Sequence, residues 1–172
     1  MVKKTGIQSN LNQIEKLYQK YMSGMRGRRG EYFSKLAIIE ACGWIEESMD
    51  NIVRGYANKH LKEPKNLRSV ENLIKRTYGF HYEDNFRDML IHIIGIIKLE
   101  ILEQIFDQHK FTQMTSSLGV LKQRRDELAH TYIKGTTPTI DAPSLTQNRF
   151  LNVYAGLKDV ESSIRKMTNY SL

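Results

Sequence analysis

Apolar residues recur along the chain at intervals of three and four, and no stretch shows sustained two-residue alternation bounded by turn signals. That periodicity predicts helices and no sheet. Leu11, Ile14, Leu17, Tyr18, Tyr21 and Met22 place a first helix from about Ser9 to Met25, which ends at a glycine-bearing basic turn, Gly24 to Gly30. A long second helix, about Glu31 to Leu61, carries Phe33, Leu36, Ala37, Ile38, Trp44, Ile45, Met49, Ile52 and Tyr56 on a broad stripe, and Lys62-Glu63-Pro64 stops it. A third is expected from Leu67 to Tyr78, with Gly79 at its end. The fourth, roughly Glu83 to His109, is apolar almost all round between Met89 and Ile97, which predicts a central helix surrounded by others.

A fifth helix is expected from about Thr112 to Ile133, with Leu118, Leu121, Leu128 and Ala129 facing inward and a break at Lys134-Gly135. A proline-bearing loop from Thr136 to Pro143 leads to a last helix, about Ser144 to Met167, for which Ser144 is a candidate N-cap. The fold class is therefore all-α, a helical bundle.

Length and composition refine this picture. With 172 residues, 40% of them hydrophobic, the chain fits one domain over 1–172 with a real core. Lys and Arg outnumber Asp and Glu by 26 to 19, for a formal charge of +7, which favours a polyanionic partner without identifying it. The single cysteine, Cys42, excludes an internal disulfide and reads as a buried core thiol. Met1-Val2-Lys3-Lys4 has no apolar run after the lysines, so no secretory signal is read and a cytoplasmic location is expected. The greasiest stretch, Met89 to Leu102, contains His92, Lys98 and Glu100 and is too short and charged for a bilayer span, so no membrane partner is expected.

The candidate chemistry lies in Arg125-Asp126-Glu127-Leu128-Ala129-His130-Thr131-Tyr132. An imidazole titrating near neutrality can move the proton of a ribose 2′-hydroxyl, while a guanidinium holds the phosphate and the charge that builds on it. Spacing alone does not single this segment out. Arg76 to His81 and Arg87 to His92 have the same interval, and Arg54 to His60 is one residue longer. The first of these reads as a turn with solvated polar groups, the second as a core histidine among isoleucines, and the third as basic residues meeting a helix dipole. Only Arg125 to His130 combines a polar residue after Arg, a Leu-Ala pair before His, a Tyr two residues on and a glycine-bearing loop beyond.

That combination resembles the HEPN superfamily, the higher eukaryote and prokaryote nucleotide-binding helical domains, and among them the toxins carrying Arg-x4-His-x-Tyr. The resemblance implies an up-and-down bundle of about five to six helices that dimerises, with the motifs of two protomers meeting in a cleft. It implies a metal-independent endoribonuclease, of toxin or phage-defence type, with Arg125 and His130 catalytic, Asp126 and Tyr132 supporting or regulatory, and no cofactor or metal. In those toxins the tyrosine can be adenylylated by a nucleotidyltransferase antitoxin, and Tyr132 inherits that role by position.

Geometry bears on the dimer separately. Five residues at 3.6 per turn put Arg125 and His130 roughly 140° apart on an ideal helix, so they do not share a face. Either the arginine folds back and the helix ends or distorts near His130, or a second subunit completes the cleft. Lys122, Arg124 and Lys134 flank the motif as candidate contacts to RNA phosphates, and Lys3, Lys4, Arg26, Arg28 and Arg29 are weaker candidates. Glu40, Glu46 and Glu47 read as a solvated face, and no zinc-ligand spacing is present. The runner-up is a catalytically silent HEPN-like module that binds RNA, a nucleotide or a protein. A third reading is a helical interaction protein whose Arg-His spacing is accidental.

Overall fold

The computed structural model describes residues 1–22, 27–129 and 140–167, and among them the chain is all-helical. The elements are α1 (Thr5–Met22), α2 (Gly27–His60), α3 (Pro64–Arg76), a π-helical turn (Tyr82–Phe86), α4 (Arg87–Ile94), α5 (Ile96–Ile105), α6 (Gln108–Ala129) and α7 (Pro143–Met167). Pro64 stands at the start of α3 rather than merely behind α2, because a helix's first turn does not need the N–H that proline lacks.

α2 is the axis of the bundle. α1, α3, α4, α6 and α7 all pack on it, and α6 pairs closely with α7. The main core joins Ile38, Cys42, Ile45 and Met49 of α2 to Phe80, Tyr82, Phe86, Leu90, Leu118, Leu121 and Leu157. A smaller core joins Ile7, Leu11 and Ile14 of α1 to Ala37 and Ala41 of α2 and Phe150 of α7. Trp44 packs against both, edge-on to Phe150 at 4.9 Å, and donates its indole N–H to the Lys3 carbonyl at 3.2 Å. Each large apolar side chain taken out of water here contributes about 1.5–3 kcal/mol, so these interlocked faces hold the helices in register.

The predicted fourth helix is not one helix. It breaks at Gly95, whose φ of 83° and ψ of 150° lie in a region that only glycine occupies readily. It breaks again at Phe106, where α5 ends. The break lets α5 fold back on α4, so that Glu103 accepts from Arg87 Nε at 2.8 Å and from the Tyr82 hydroxyl at 2.9 Å. Burial and this carboxylate together raise the Tyr82 pKa, so the phenol stays a donor. The segment is also not surrounded by other helices. Leu99 and Leu102 are buried, but Ile96, Ile97, Ile101 and Ile105 face outward. His92 is likewise exposed rather than a core residue, with Nδ1 2.9 Å from the Asp88 carbonyl oxygen.

Candidate functional site

α6 runs regularly from Gln108 to Ala129, so it carries the first five residues of the motif on continuous helix. Leu118 and Leu121 are fully buried and Leu128 packs against the main core, but Ala129 is exposed, contrary to the expected inward face. His130, Tyr132 and Lys134 lie outside the described residues. The structure therefore places Arg125 and Asp126, together with Lys122 and Arg124, and leaves the imidazole of the motif undescribed.

Arg125 points toward the core side of α6. Its guanidinium carbon stands 5.3 Å from the centroid of the fully buried Phe80 ring, a cation–π arrangement. Its Nε lies 2.8 Å from Asp126 Oδ1, but at an angle that leaves this buried N–H without an acceptor among the described residues. A buried guanidinium donor in that condition costs energy unless something else meets it.

Two distant segments, α2 and the turn after α3, build the floor under Arg125. Gly79, with φ 105°, turns the chain after α3 and presents Phe80 to α6. Its N–H donates to Glu46 Oε1 of α2 at 2.8 Å, so Glu46 is not the solvated residue expected from sequence but a tie between α2 and this turn. Asn85 closes the turn from the other side, accepting from the His81 N–H at 2.9 Å and donating to the Tyr78 carbonyl at 3.0 Å. Cys42 of α2 completes the floor, its Sγ 3.8 Å from the Leu121 carbonyl oxygen. Burial pushes its thiol up to about 12, against the pull of the Arg125 charge, while Glu46 and Asp126 push the same way as burial. Cys42 is therefore an inert core thiol, as its sequence context predicts, and not a nucleophile.

The other predicted residues are engaged locally. Lys122 Nζ binds Asp126 Oδ2 at 3.0 Å, and this hydrogen bond, ahead of the Arg125 charge, holds the Asp126 carboxyl below its ordinary range. Arg124 pairs with Glu127 at 3.1 Å and stands 3.9 Å from Asp141. Both cations expected to grip phosphate thus already carry a carboxylate partner. Elsewhere, Lys4 lies over the Tyr154 ring and Arg29 over the Tyr21 ring. Arg54 is held bidentately by Glu71 of α3 rather than serving the helix end.

Sequence reasoning missed Phe80, which only long-range packing brings to Arg125, and read Glu46 as solvated where it ties α2 to the turn that carries Phe80. His81 sits one residue beyond Phe80 in the turn that its context predicts, but it is only half-exposed and its Nδ1, 3.1 Å from Asp84 Oδ2, is buried rather than solvated. A cavity of about 440 Å³ lies elsewhere, near the C-terminal ends of α2 and α7, lined by Tyr56, Lys59, His60 and Arg165 among others. Basic residues there answer the negative ends of two helix dipoles, so they do not by themselves mark an anion site. No cluster of metal-ligating side chains occurs among the described residues, and none of the described helices is long and apolar enough to cross a membrane. No protein family, curated protein or solved structure matches the chain.

Proposed function

We propose that the chain is a metal-independent endoribonuclease of HEPN type, acting as a homodimer with Arg125 and His130 of both subunits in one cleft. The observation that supports this reading is the setting of Arg125. An arginine is held over Phe80 five residues before a histidine, its buried Nε ion-paired with Asp126 Oδ1 at 2.8 Å but meeting no well-aligned hydrogen-bond acceptor among the described residues. A positioned guanidinium with spare donor capacity is what a pentavalent phosphate requires, because charge grows on its oxygens as the nucleophile closes.

In the reaction, His130 takes the proton of a ribose 2′-hydroxyl and the oxygen attacks the adjacent phosphorus. The bond from phosphorus to the 5′-oxygen breaks, and the partner subunit's His130 protonates the leaving oxygen. The products are a 2′,3′-cyclic phosphate and a 5′-hydroxyl end. Such an activity fits a toxin or phage-defence effector, restrained by an antitoxin, with a nucleotidyltransferase acting on Tyr132 as the form of restraint that the motif fits.

The test is incubation of wild type, His130→Ala and Arg125→Ala with total RNA in EDTA, followed by analysis of product ends. Cyclic-phosphate ends that appear with wild type and vanish in both variants, with helical content unchanged, are the expected result. Full cleavage by His130→Ala would overturn the assignment. Salt-sensitive RNA binding without products would replace it with the silent binding module.

A further inference from the structure

Between residues 59 and 76 stand six Lys or Arg and two Glu, a formal +4 out of the chain's +7. Most of these cations belong to α3. Lys65, Arg68, Asn72, Lys75 and Arg76 recur at helical intervals on one exposed face, opposite Val70, Leu73 and Ile74, which pack on the main core.

We propose that this face of α3, together with the Tyr78 ring, binds single-stranded RNA and leads the strand to Arg125. Phosphates lie along the helix and a base stacks on the tyrosine. The proposal deepens the ribonuclease reading and rests on it for where the path ends.

The first support is that the cations are free to act. No carboxylate of the described residues pairs with Lys65, Arg68 or Arg76, whereas Lys122 and Arg124 beside Arg125 each already hold one. Glu71, the one acid of α3, is gripped by Arg54 of α2, with the Lys75 charge adding to that hold. A helix of 13 residues is about 20 Å long, enough to follow several phosphates of one strand.

The second is the tyrosine. A charged helix face is by itself ordinary, but this one ends at Tyr78, which is 84% exposed, more than any other large hydrophobic side chain of the described structure. Its backbone is nonetheless fixed on both sides. Asn85 donates to its carbonyl at 3.0 Å, and Gly79 after it donates to Glu46 at 2.8 Å. A ring held out into water from an anchored backbone offers a base its flat side at little cost in chain order.

The third is position. Tyr78 stands two residues before Phe80, so their Cα atoms are at most about 7.6 Å apart. Phe80 carries Arg125 over its ring at 5.3 Å. The basic face, the exposed ring and the guanidinium therefore follow one another along a single path. A membrane surface fits less well, because the apolar side of α3 is turned inward and its outer face has no aliphatic side chain to insert.

The experiment is binding of the full chain to a fluorescein-labelled 2′-O-methyl oligonucleotide of about 12 nucleotides, single-stranded or as a duplex, over a salt series. The capped 2′-hydroxyl prevents cleavage, so binding is read apart from catalysis. The double variant Arg68→Gln/Arg76→Gln should lower the slope of log affinity against log salt by about 1.4, with helicity unchanged. Tyr78→Ala should weaken single-strand binding about tenfold and leave duplex binding unaltered, since paired bases are already stacked. Tyr78→Trp should restore the affinity, and its indole emission should be quenched by the single strand. Absence of wild-type binding, or an unchanged slope and affinity in these variants, would overturn the proposal even if RNA is cleaved. Binding that follows these variants while RNA yields no cyclic-phosphate ends would uphold the strand path and overturn the ribonuclease reading instead. Binding of phosphatidylserine vesicles in place of the oligonucleotide would overturn the proposal in favour of a membrane contact.

Discussion

α2 and the segment from Met89 to Ile105 read alike in the sequence, both being long, apolar and punctuated by glycine, yet they end in opposite situations. α2 runs unbroken for 34 residues with Gly43 and Gly55 inside it, and buries one face along its length. The other segment folds at Gly95 and turns four isoleucines outward. The difference teaches that a glycine does not break a helix by being there. It permits a break, and the packing on either side decides whether one is made. At Gly95 the gain is concrete, since folding back brings Glu103 to Arg87 and Tyr82 and buries Leu99 and Leu102.

The sharpest way to break the comparison is Leu99→Ala, which removes the inner anchor of α5. A fully buried leucine lost to a cavity should cost about 2–5 kcal/mol in denaturant unfolding, and a loss below 1 kcal/mol would mean that α5 is not held by its inner face. Next comes Gly95→Ala. At this backbone conformation a side chain is strained whatever the space around it, so a loss of about 1–3 kcal/mol is expected, and a neutral result would refute the hinge.

A smaller effect separates α2 from solvent by pH. Asp50 sits beside Glu46, Glu47 and Glu71, and burial first, with these charges adding to it against the pull of Arg54, raises its pKa from 3.8 to about 6. The folded state therefore binds this proton more tightly than the unfolded one, so stability is greatest below about pH 4 for this group. It falls as pH rises through 4 to 6 and stays lower above. Because Asp50 is only partly buried, screening limits the loss to about 1 kcal/mol. Asp50→Asn should remove that slope from a pH series of unfolding midpoints and raise stability at pH 7. An unchanged slope would show that Asp50 is solvated like its neighbours.

The smallest effects come from the glycines of α2. A methyl group at Gly43 or Gly55 would meet nothing within 4 Å, so alanine at either position should stabilise the helix by about 0.5–1 kcal/mol. Alanine that destabilises at Gly43 and Gly55 as it does at Gly95 would erase the distinction between the two segments.

Much of the fold was legible before any coordinate. α1, α2, α3, α6 and α7 lie where periodicity, Pro64 and the turn residues put them, with ends differing by a few residues. The hinge at Gly95 was not legible, because Gly43, Gly55 and Gly119 are locally indistinguishable from it and remain helical. The outward face of α5 was hidden for a related reason. Hydrophobicity records how strongly a side chain avoids water, and a helix apolar all round does not say which of its sides the bundle will reach.

The candidate site divides in the same way. The chain's own order of residues determined that an arginine stands five positions before a histidine and that this arginine lies on a helix, because helix formation is local and follows from neighbouring residues. Only the tertiary structure decided what Arg125 faces. Phe80 and Cys42 come from two other parts of the chain, with Glu46 tying those parts together, and the contacts that bring them to the guanidinium depend on how whole helices pack, which no short stretch of sequence contains.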